Sequence, residues 1–194
     1  MTPLELVEEA LHVSATELSL LRPRDPEALL DEEAFARDEF LPYWAELWPA
    51  GLALAQALPP RLDGVRVVEL GCGLGVPSLV AAARGAAVTA VDWAADAIDL
   101  LRANAARNRV RVDARLADWR DVDGDFDLAL AADVLYEHRN VQPLLAVLPG
   151  VAREVLLALA GRPHEGEFLN RVDAQPVAER VVRVTRRSPG RRMR

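Results

Sequence analysis

The stretch at residues 65–75, VRVVELGCGLG, limits the fold of this chain more than any other stretch. It joins a run of β-branched residues to three glycines, Gly71, Gly73 and Gly75, and an apolar pattern with helical spacing follows at 76–84. Glycine allows a sharp turn and the close approach of another group, because it has no Cβ. The stretch therefore predicts a strand, a tight turn and a helix, which is the unit of a parallel sheet.

The alternation of strand and helix continues along the chain. We predict strands at 65–70, 87–92, 109–116, 126–131 and 152–159, and helices at 76–84, 94–107 and 138–148. Several of these strands are almost continuously apolar, which is typical of a sheet covered on both faces. The pattern predicts an α/β, Rossmann-like, doubly wound and mostly parallel sheet. With 194 residues, the chain accommodates one such domain at 61–194 and an N-terminal cap segment at 1–60 that is not an independent domain.

The cap segment has its own local signals. The sequence TPLE at 2–5 has the residues of a helix start, and apolar residues then recur with helical spacing, so we expect an amphipathic helix at 3–12. A strand is expected at 15–21. After Pro42, the sequence YWAELWPAGLALAQAL favours a helix, in which Pro49 either introduces a kink or marks the first turn.

A carboxylate beside the glycine turn limits the ligand that the turn binds. A dinucleotide-binding turn has a third glycine where this chain has Val76, and Glu69 stands two residues before Gly71. Glu69 would repel a pyrophosphate and attract an ammonium or a sulfonium group. The turn therefore favours S-adenosylmethionine over NAD as the cofactor.

Two further carboxylates follow later strands. Asp92 ends the strand VTAVD, where an acid accepts hydrogen bonds from both ribose hydroxyls of a bound nucleoside. Asp118 in RLADW could accept from the exocyclic amine of adenine, with Trp119 beside it. Each acid also has an ordinary structural interpretation as a loop residue, and Asp92 could cap the helix at 94–107. The ordered set of Glu69, glycines, Asp92 and Asp118 favours a nucleoside site.

The segment at 67–108, VVELGCGLGVPSLVAAARGAAVTAVDWAADAIDLLRANAARN, resembles the core of class I S-adenosylmethionine-dependent methyltransferases. LPYWAELWPAGLALAQAL at 41–58 and AADVLYE at 131–137 resemble the group that contains protein-lysine methyltransferases and nicotinamide N-methyltransferase-like proteins. Within this group, the bacterial electron transfer flavoprotein β-subunit lysine methyltransferases look most similar. The resemblance covers roughly residues 18–187.

The resemblance implies roles for individual residues. Asp133 and Tyr136 match a D-x-x-Y element on the acceptor side and are the candidate catalytic residues. The residues that it places around the cofactor are Trp48, Glu69, Gly71, Gly73, Gly75, Asp92, Trp93, Asp118, Trp119 and Ala132. It also implies a seven-stranded sheet with an antiparallel last strand. Only residues 191–194 remain after the turn at 188–190, so that strand is expected to be short or truncated.

The same resemblance predicts methyl transfer to a protein lysine. A lysine amine has a reference pKa of about 10.4, so the site must supply it in the neutral form. Tyr136 would orient the amine and exclude water, and Asp133 would hydrogen-bond it. Acids in the cap segment would attract a basic segment of the partner: Glu32, Glu33, Asp38, Glu39 and Glu46. The electron transfer flavoprotein β-subunit is the first candidate partner.

Other functions stay open at this point. The same core could methylate a ribosomal protein or a small-molecule amine, since acceptor specificity lies in loops. A non-enzymatic cofactor-binding scaffold and an NAD-dependent oxidoreductase are less favoured, because of the intact DVLYE element and of Val76 with Glu69.

The composition of the chain indicates its cellular location and the classes of ligand and partner that it disfavours. A single cysteine, Cys72, favours small packing in a reducing cytosol, and the three histidines lack metal-ligand spacing. The acidic start of the chain argues against secretion. The apolar stretch at 142–160 is interrupted by charges, which argues against a membrane span. Twelve acids in the first 60 residues disfavour nucleic acid as a partner. We predict a cytoplasmic protein with no metal and no membrane contact. Its oligomeric state is left open.

Overall fold

The computed structural model describes residues 4–29 and 42–186. The strands are β1 (Leu6–Val13), β2 (Thr16–Pro23), β3 (Arg66–Leu70), β4 (Ala87–Asp92), β5 (Val112–Leu116), β6 (Phe126–Ala132), β7 (Ala152–Ala158), β8 (Val172–Ala178) and β9 (Val181–Arg186). The helices are α1 (Pro49–Ala57), α2 (Val76–Ala83), α3 (Ala95–Arg107), α4 (Val141–Val151) and α5 (Glu165–Leu169). Single 3₁₀ turns lie at Glu27–Leu29, Tyr43–Ala45, Trp119–Asp121 and His138–Asn140.

Seven strands form one sheet in the order β5-β4-β3-β6-β7-β9-β8. The first five strands in this order, β5, β4, β3, β6 and β7, are parallel. Strand β9 runs antiparallel to both of its neighbours, β7 and β8. The predicted doubly wound, mostly parallel seven-stranded sheet is confirmed. The strand order reverses between β3 and β6, so a crevice forms where the carboxyl ends of these two strands separate.

Alternating side chains of each central strand enter two hydrophobic cores on opposite faces of the sheet. Val67 of β3 packs with α1, α2 and α3, whereas Val68 and Leu70 pack with α4. In β6, Leu128 and Leu130 face the first core, while Ala129 and Ala131 face the second. Burial on both faces is the reason why these strands read as continuous apolar runs. Because the core fixes each strand in this way, the loops at the strand ends are held in place.

The predicted helix at 3–12 is wrong, because β1 occupies this segment. It pairs with β2 over eight positions, and its burial alternates along the strand towards the buried Leu11 and Val13. Asn104 of α3 and Asn108, the C-cap residue of α3, bind the edge of β2 at alternate residues. Asn104 Oδ1 and Nδ2 bond the N–H and C=O of Leu21 at 2.7 and 2.9 Å, and Asn108 bonds Ser19 in the same way. Tertiary pairing thus overrides local helical spacing.

The expected position of the last strand, after the turn at 188–190, is also wrong. The antiparallel strand is β9, which is not truncated and pairs with β7 from Val155↔Val184 to Ala158↔Val181. Glu179 and Arg180 connect β8 to β9, and Arg180 has a positive φ of 62°. Tight hairpin turns are usually marked by glycine or asparagine, and this turn has an arginine instead. The sequence therefore did not predict the hairpin. Residues 191–194 lie outside the described part of the chain.

The observed ends of other helices and strands differ from the predicted ends by a few residues. α1 begins at Pro49, so the proline marks the first helical turn, and Tyr43–Ala45 forms only a 3₁₀ turn before it. β5 begins at Val112 rather than 109, because Arg109 has a positive φ of 56°. α4 follows a 3₁₀ turn at His138–Asn140 and extends to Val151. Within the described ranges, no helix has the length and apolar character needed to cross a bilayer.

Candidate functional site

A cavity of about 380 Å³ opens at the carboxyl ends of β3, β4 and β6. The residues predicted for the cofactor and for the acceptor all line this one cavity: Trp48, Glu69, Gly71, Gly73, Gly75, Asp92, Trp93, Asp118, Trp119, Ala132, Asp133 and Tyr136. They come from segments that are up to 88 residues apart in the sequence. The sheet therefore assembles the predicted residues at one place.

The glycine turn packs closely against its neighbours, and a side chain at Gly75 would clash with one of them. Gly71, Gly73 and Gly75 have positive φ angles of 67°, 50° and 70°. A Cβ on Gly75 would lie 2.4 Å from Leu101 Cδ1, and one on Gly73 would lie 3.3 Å from the Trp44 carbonyl oxygen. The turn is thus fixed between α3 and the segment before α1, with its backbone lining the cavity.

Glu69 lies at the base of the cavity and is 2% exposed. Its Oε2 accepts hydrogen bonds from the backbone N–H of Ser78 at 2.9 Å and from the Ser78 hydroxyl. Burial raises the pKa of Glu69, the two Ser78 bonds oppose this rise, the negative charge of Asp92 adds to it, and the resulting value is about 8. A cationic ligand group in the cavity would favour the ionised form and lower this pKa again.

Asp92 is 5% exposed and binds two backbone N–H groups. Its Oδ2 accepts from Gly73 at 2.8 Å, and its Oδ1 accepts from Ala94 at 2.9 Å. Burial raises the pKa of Asp92, while these backbone bonds lower it. The N-cap of α3 is Ala94 rather than Asp92, so the carboxylate ties the glycine turn to the end of β4. Each oxygen keeps a lone pair for a ribose hydroxyl.

Asp118 has a local structural role in addition to its place in the cavity wall. It caps the 3₁₀ turn at Trp119–Asp121 through the Arg120 N–H at 2.8 Å, and it forms an ion pair with the Arg120 side chain, which lowers its pKa. The ring of Trp119 lies close to Gly71, where a Cβ would meet it at 3.6 Å. Trp93 is 49% exposed at the rim. These groups leave a flat, partly apolar wall.

The part of the cavity predicted to receive the acceptor contains an ion pair that the sequence did not indicate. Asp133 has a positive φ of 52°, and its side chain is 6% exposed. Arg162, in the loop after β7, donates from Nε to Asp133 Oδ1 at 2.8 Å and from Nη2 to Oδ2 at 2.6 Å. Asp133 in turn raises the pKa of the Arg162 guanidinium. The carboxylate is therefore held in a bidentate pair.

Three aromatic rings surround this pair. Tyr136 packs on Tyr43 with ring centroids 4.9 Å apart, and Tyr43 packs on Trp48 at 6.2 Å. Trp48 Nε1 donates to the Tyr43 carbonyl at 2.7 Å, and the Arg162 guanidinium lies 5.4 Å from the Trp48 ring centroid. Burial raises the pKa of the Tyr136 hydroxyl, so it stays protonated at neutral pH. The rings form an apolar wall with a cation against it.

Sequence reasoning missed Arg162 and Tyr43, which both line the cavity. A signal for Arg162 existed, because it directly follows Gly161 at the carboxyl end of a buried strand. Cys72 is buried, and burial raises the pKa of its thiol, which agrees with a packing role. Of the predicted acidic ring, Glu46 lines the cavity, while Glu32, Glu33, Asp38 and Glu39 lie outside the described residues. Within the described ranges, no cluster of three metal-ligating side chains occurs.

Comparisons with known proteins agree with this architecture. Residues 67–156, just under half of the chain, match the family described as a methyltransferase domain. The 23S rRNA (uracil(1939)-C(5))-methyltransferase RlmD of Halomonas elongata is 46% identical over 70 residues, which are 36% of this chain and 14% of that protein. The protein-lysine methyltransferase METTL21E of Bos taurus is 30% identical over 135 residues, covering 60% of this chain and 46% of that protein.

A solved structure extends the likeness beyond the matched domain. Magnesium protoporphyrin IX methyltransferase (ChlM) from Synechocystis PCC 6803, with bound S-adenosylmethionine, superposes with a TM-score of 0.60 at 18% identity. The match covers 82% of this chain and 99% of that chain. The protein thus has the class I S-adenosylmethionine-dependent methyltransferase fold. It spans less than half of either curated relative named above.

The donor set of the cavity fits the cofactor of this fold, S-adenosylmethionine. Glu69 offers a buried carboxylate to an ammonium, Asp92 offers acceptors to vicinal hydroxyls, and Trp119 offers an aromatic face. The positive φ of the three glycines brings backbone rather than side chains to the cavity wall. A pyrophosphate would meet Glu69 and Asp92 without a positive group in the turn, which argues against a dinucleotide.

Proposed function

We propose that this protein transfers a methyl group from S-adenosylmethionine to the side-chain amine of a lysine in a partner protein. The observation that carries the proposal is that Asp133 and Tyr136 of the D-x-x-Y element line the same cavity as the glycine turn. The similarity to METTL21E supports a protein acceptor. The proposed domain organisation is a cap segment at 1–60 followed by the methyltransferase domain at 61–194.

The cofactor half of the cavity positions the methyl donor. In this proposal Glu69 binds the ammonium, Asp92 binds the ribose, and Asp118 with Trp119 holds the adenine. The bound cofactor supplies an activated methyl group on a sulfonium, which leaves as a neutral thioether. Most of the rate then comes from alignment of nucleophile, carbon and sulfur, an effect worth about 7–11 kcal/mol in well-oriented reactions.

The acceptor half receives the lysine. The rings of Tyr43, Trp48 and Tyr136 suit the long aliphatic stem of a lysine and also attract a cation. The Tyr136 hydroxyl is protonated and partly buried, so it can hydrogen-bond the incoming nitrogen. The Asp133 carboxylate keeps free lone pairs on both oxygens beside its bonds to Arg162. These groups orient the nitrogen and exclude water.

The proposed partner carries its lysine in a basic segment. Residues 1–60 contain twelve acids and three arginines, and Glu46 lines the cavity at an exposed position. Such a field increases the encounter rate with a basic partner and weakens with ionic strength. The electron transfer flavoprotein β-subunit is the first candidate, and the cytoplasm is the proposed location.

Labelling of a lysate tests the proposal. The purified protein is incubated with tritiated S-adenosylmethionine and a lysate of its own host, and labelled molecules are identified after separation into protein, nucleic acid and small molecules. Because the chain contains no lysine, every methyl-lysine found must lie on a partner. The proposal predicts label on lysine of one or a few proteins. Label on RNA or on a small amine, with none on lysine, would replace the lysine with that acceptor.

A further inference from the structure

Arg162 gives the acceptor side a fixed positive charge where a lysine amine must arrive. Its guanidinium contacts both oxygens of Asp133 and lies over the ring of Trp48, while its side chain remains 32% exposed towards the cavity. An Arg side chain stays charged at every physiological pH. An amine that binds the remaining lone pairs of Asp133 would therefore lie within about 6 Å of this charge.

The loop that carries Arg162 is held rigidly. Glu165, 8% exposed, accepts hydrogen bonds from the backbone N–H groups of Ala160 and Gly161 at 2.7 and 3.0 Å. Gly161 has a positive φ of 81°, which turns the chain so that Arg162 enters the cavity. The position of the guanidinium thus follows from the fold at the end of β7.

The charge of Arg162 changes the protonation of the amine. An unpaired Asp133 carboxylate would stabilise the ammonium form, which has no lone pair and cannot attack the methyl group. A like charge about 6 Å away disfavours the ammonium form and lowers its pKa by about one to two pH units at the effective dielectric of partly buried sites. The guanidinium therefore offsets the effect of the carboxylate to which the amine binds.

We propose that Arg162 raises the fraction of the acceptor lysine that is neutral and nucleophilic, by keeping a permanent positive charge beside Asp133. This inference rests on the proposed function. The ammonium proton leaves to solvent before transfer. The nitrogen lone pair then forms the N–C bond as the C–S bond breaks, and the electron pair of that bond stays on sulfur. Arg162 gives up no proton and acts by position.

Other charged or titratable groups line the same cavity or act electrostatically on Arg162 and Tyr136. They belong to the segment before α1, to the loop after β6, to the loop after β7 and to the cofactor half: Tyr43, Glu46, Asp133, Tyr136, Glu137, Arg139, Glu165, Glu69, Asp92, Asp118 and Arg120. Arg139 forms an ion pair with Glu137. Among the described residues of these loops, Arg162 is the cation that contacts Asp133 directly.

The test compares pH–rate profiles of Arg162→Gln, Arg162→Lys and the wild type with a synthetic peptide that carries one lysine flanked by arginines. Glutamine keeps a donor for Asp133 but removes the charge, whereas lysine keeps the charge. We expect the acidic limb of kcat at saturating peptide, which reports groups of the bound complex, to move up by about one pH unit or more for Arg162→Gln, with much of the rate recovered at high pH. Arg162→Lys should keep the limb near that of the wild type.

A second readout does not depend on turnover. Calorimetry of peptide binding to the enzyme saturated with S-adenosylhomocysteine, in buffers of different ionisation enthalpy, counts the protons released on binding. At about pH 8.5 to 9.5, around a lysine pKa lowered by one to two units from about 10.4, the wild type should release a measurable fraction of one proton, and Arg162→Gln markedly less. Arg183→Gln is the matched control, because Arg183 pairs with Glu154 at 2.7 Å on the exposed sheet surface and does not line the cavity.

The outcomes separate this inference from the proposed function. A uniform loss of rate in Arg162→Gln without a shift of the limb would reduce Arg162 to a structural residue and overturn the inference. A faster reaction of Arg162→Gln at neutral pH would also overturn it, since Arg162 would then repel the acceptor. Failure of the wild type to methylate this peptide and any lysine in the host lysate would instead refute the proposed function.

Discussion

Replacement of Glu69 by glutamine should raise the stability of the ligand-free protein and lower its affinity for S-adenosylhomocysteine. Burial raises the pKa of Glu69 from its ordinary value near 4.5 to about 8 in the ligand-free fold. Between these two values the folded protein binds more protons than the unfolded chain. Stability therefore falls as pH rises through this window, by up to about 1.4 kcal/mol per pH unit, and the fall ends once the pH passes the folded pKa. Glutamine cannot ionise and removes this loss.

We expect Glu69→Gln to have a higher thermal stability than the wild type but a lower affinity for S-adenosylhomocysteine. Without ligand, Glu69→Gln should unfold at a higher temperature than the wild type at pH 7.5, by several degrees, since about 1 kcal/mol corresponds to about 2–4 °C in a chain of this size. It should bind S-adenosylhomocysteine at least tenfold more weakly, because a charge-assisted bond to the ammonium is lost. The wild-type affinity should also rise between pH 6 and 8, as binding then requires less proton release.

Thermal unfolding and titration calorimetry at several pH values measure both effects. Glu154→Gln is the control, since Glu154 is an exposed carboxylate that pairs with Arg183 away from the cavity. A lower melting temperature of Glu69→Gln at every pH would show that the folded protein needs the ionised carboxylate. Unchanged affinity for S-adenosylhomocysteine would show that Glu69 does not face the ammonium. Either result would refute the electrostatic reasoning for the glycine turn.

The remaining predictions concern the cofactor half and the fold. Asp92→Ala removes two charge-assisted bonds of roughly 1.5–3 kcal/mol each, so the dissociation constant for S-adenosylhomocysteine should rise at least tenfold in calorimetry; an unchanged constant would leave Asp92 a purely structural role. Gly75→Ala should destabilise the fold by about 1–3 kcal/mol in denaturant unfolding because of strain and contact with Leu101, whereas Gly64→Ala, with a similar φ and open space, should cost about 1 kcal/mol. Asn104→Ala should cost about 2–4 kcal/mol in the same assay, since the edge of β2 loses two buried bonds, and a cost near zero would mean that the hairpin is not held by them.

The sheet could be predicted from the sequence because strands that are buried on both faces are continuous apolar runs, which are a strong local pattern. The prediction for β4 at 87–92 has the observed boundaries, and β3 at 65–70 differs by one residue. The hairpin of β1 and β2 could not be predicted in the same way. Its first strand has both helical and strand spacing, and its second strand is bonded by asparagines 83 to 89 residues away. Local pattern alone does not contain such long-range contacts.

The candidate site could be predicted where position follows from topology. Residues that end parallel strands must meet at one edge of the sheet, so strand positions alone bring Glu69, Asp92 and Asp133 together. Their hydrogen-bond partners do not follow from strand positions. Both oxygens of Asp92 bind backbone N–H groups, and Asp118 binds Arg120. Partners depend on loop conformation, which the spacing of residues does not determine.

The pair of Asp133 and Arg162 shows where a functional site diverges from what stability alone requires. Asp133 combines a left-handed φ of 52° with a carboxylate that is almost fully buried, and both features cost free energy. Replacing a buried ion pair by apolar residues of similar volume is often neutral or stabilising, so the pair is weakly explained by the fold. Its position in the cavity, against Trp48, supports the proposed electrostatic role instead. The pair is near-neutral as a whole, and it presents carboxylate lone pairs beside a cation. This combination suits the proposed lysine acceptor, which must lose its proton before transfer.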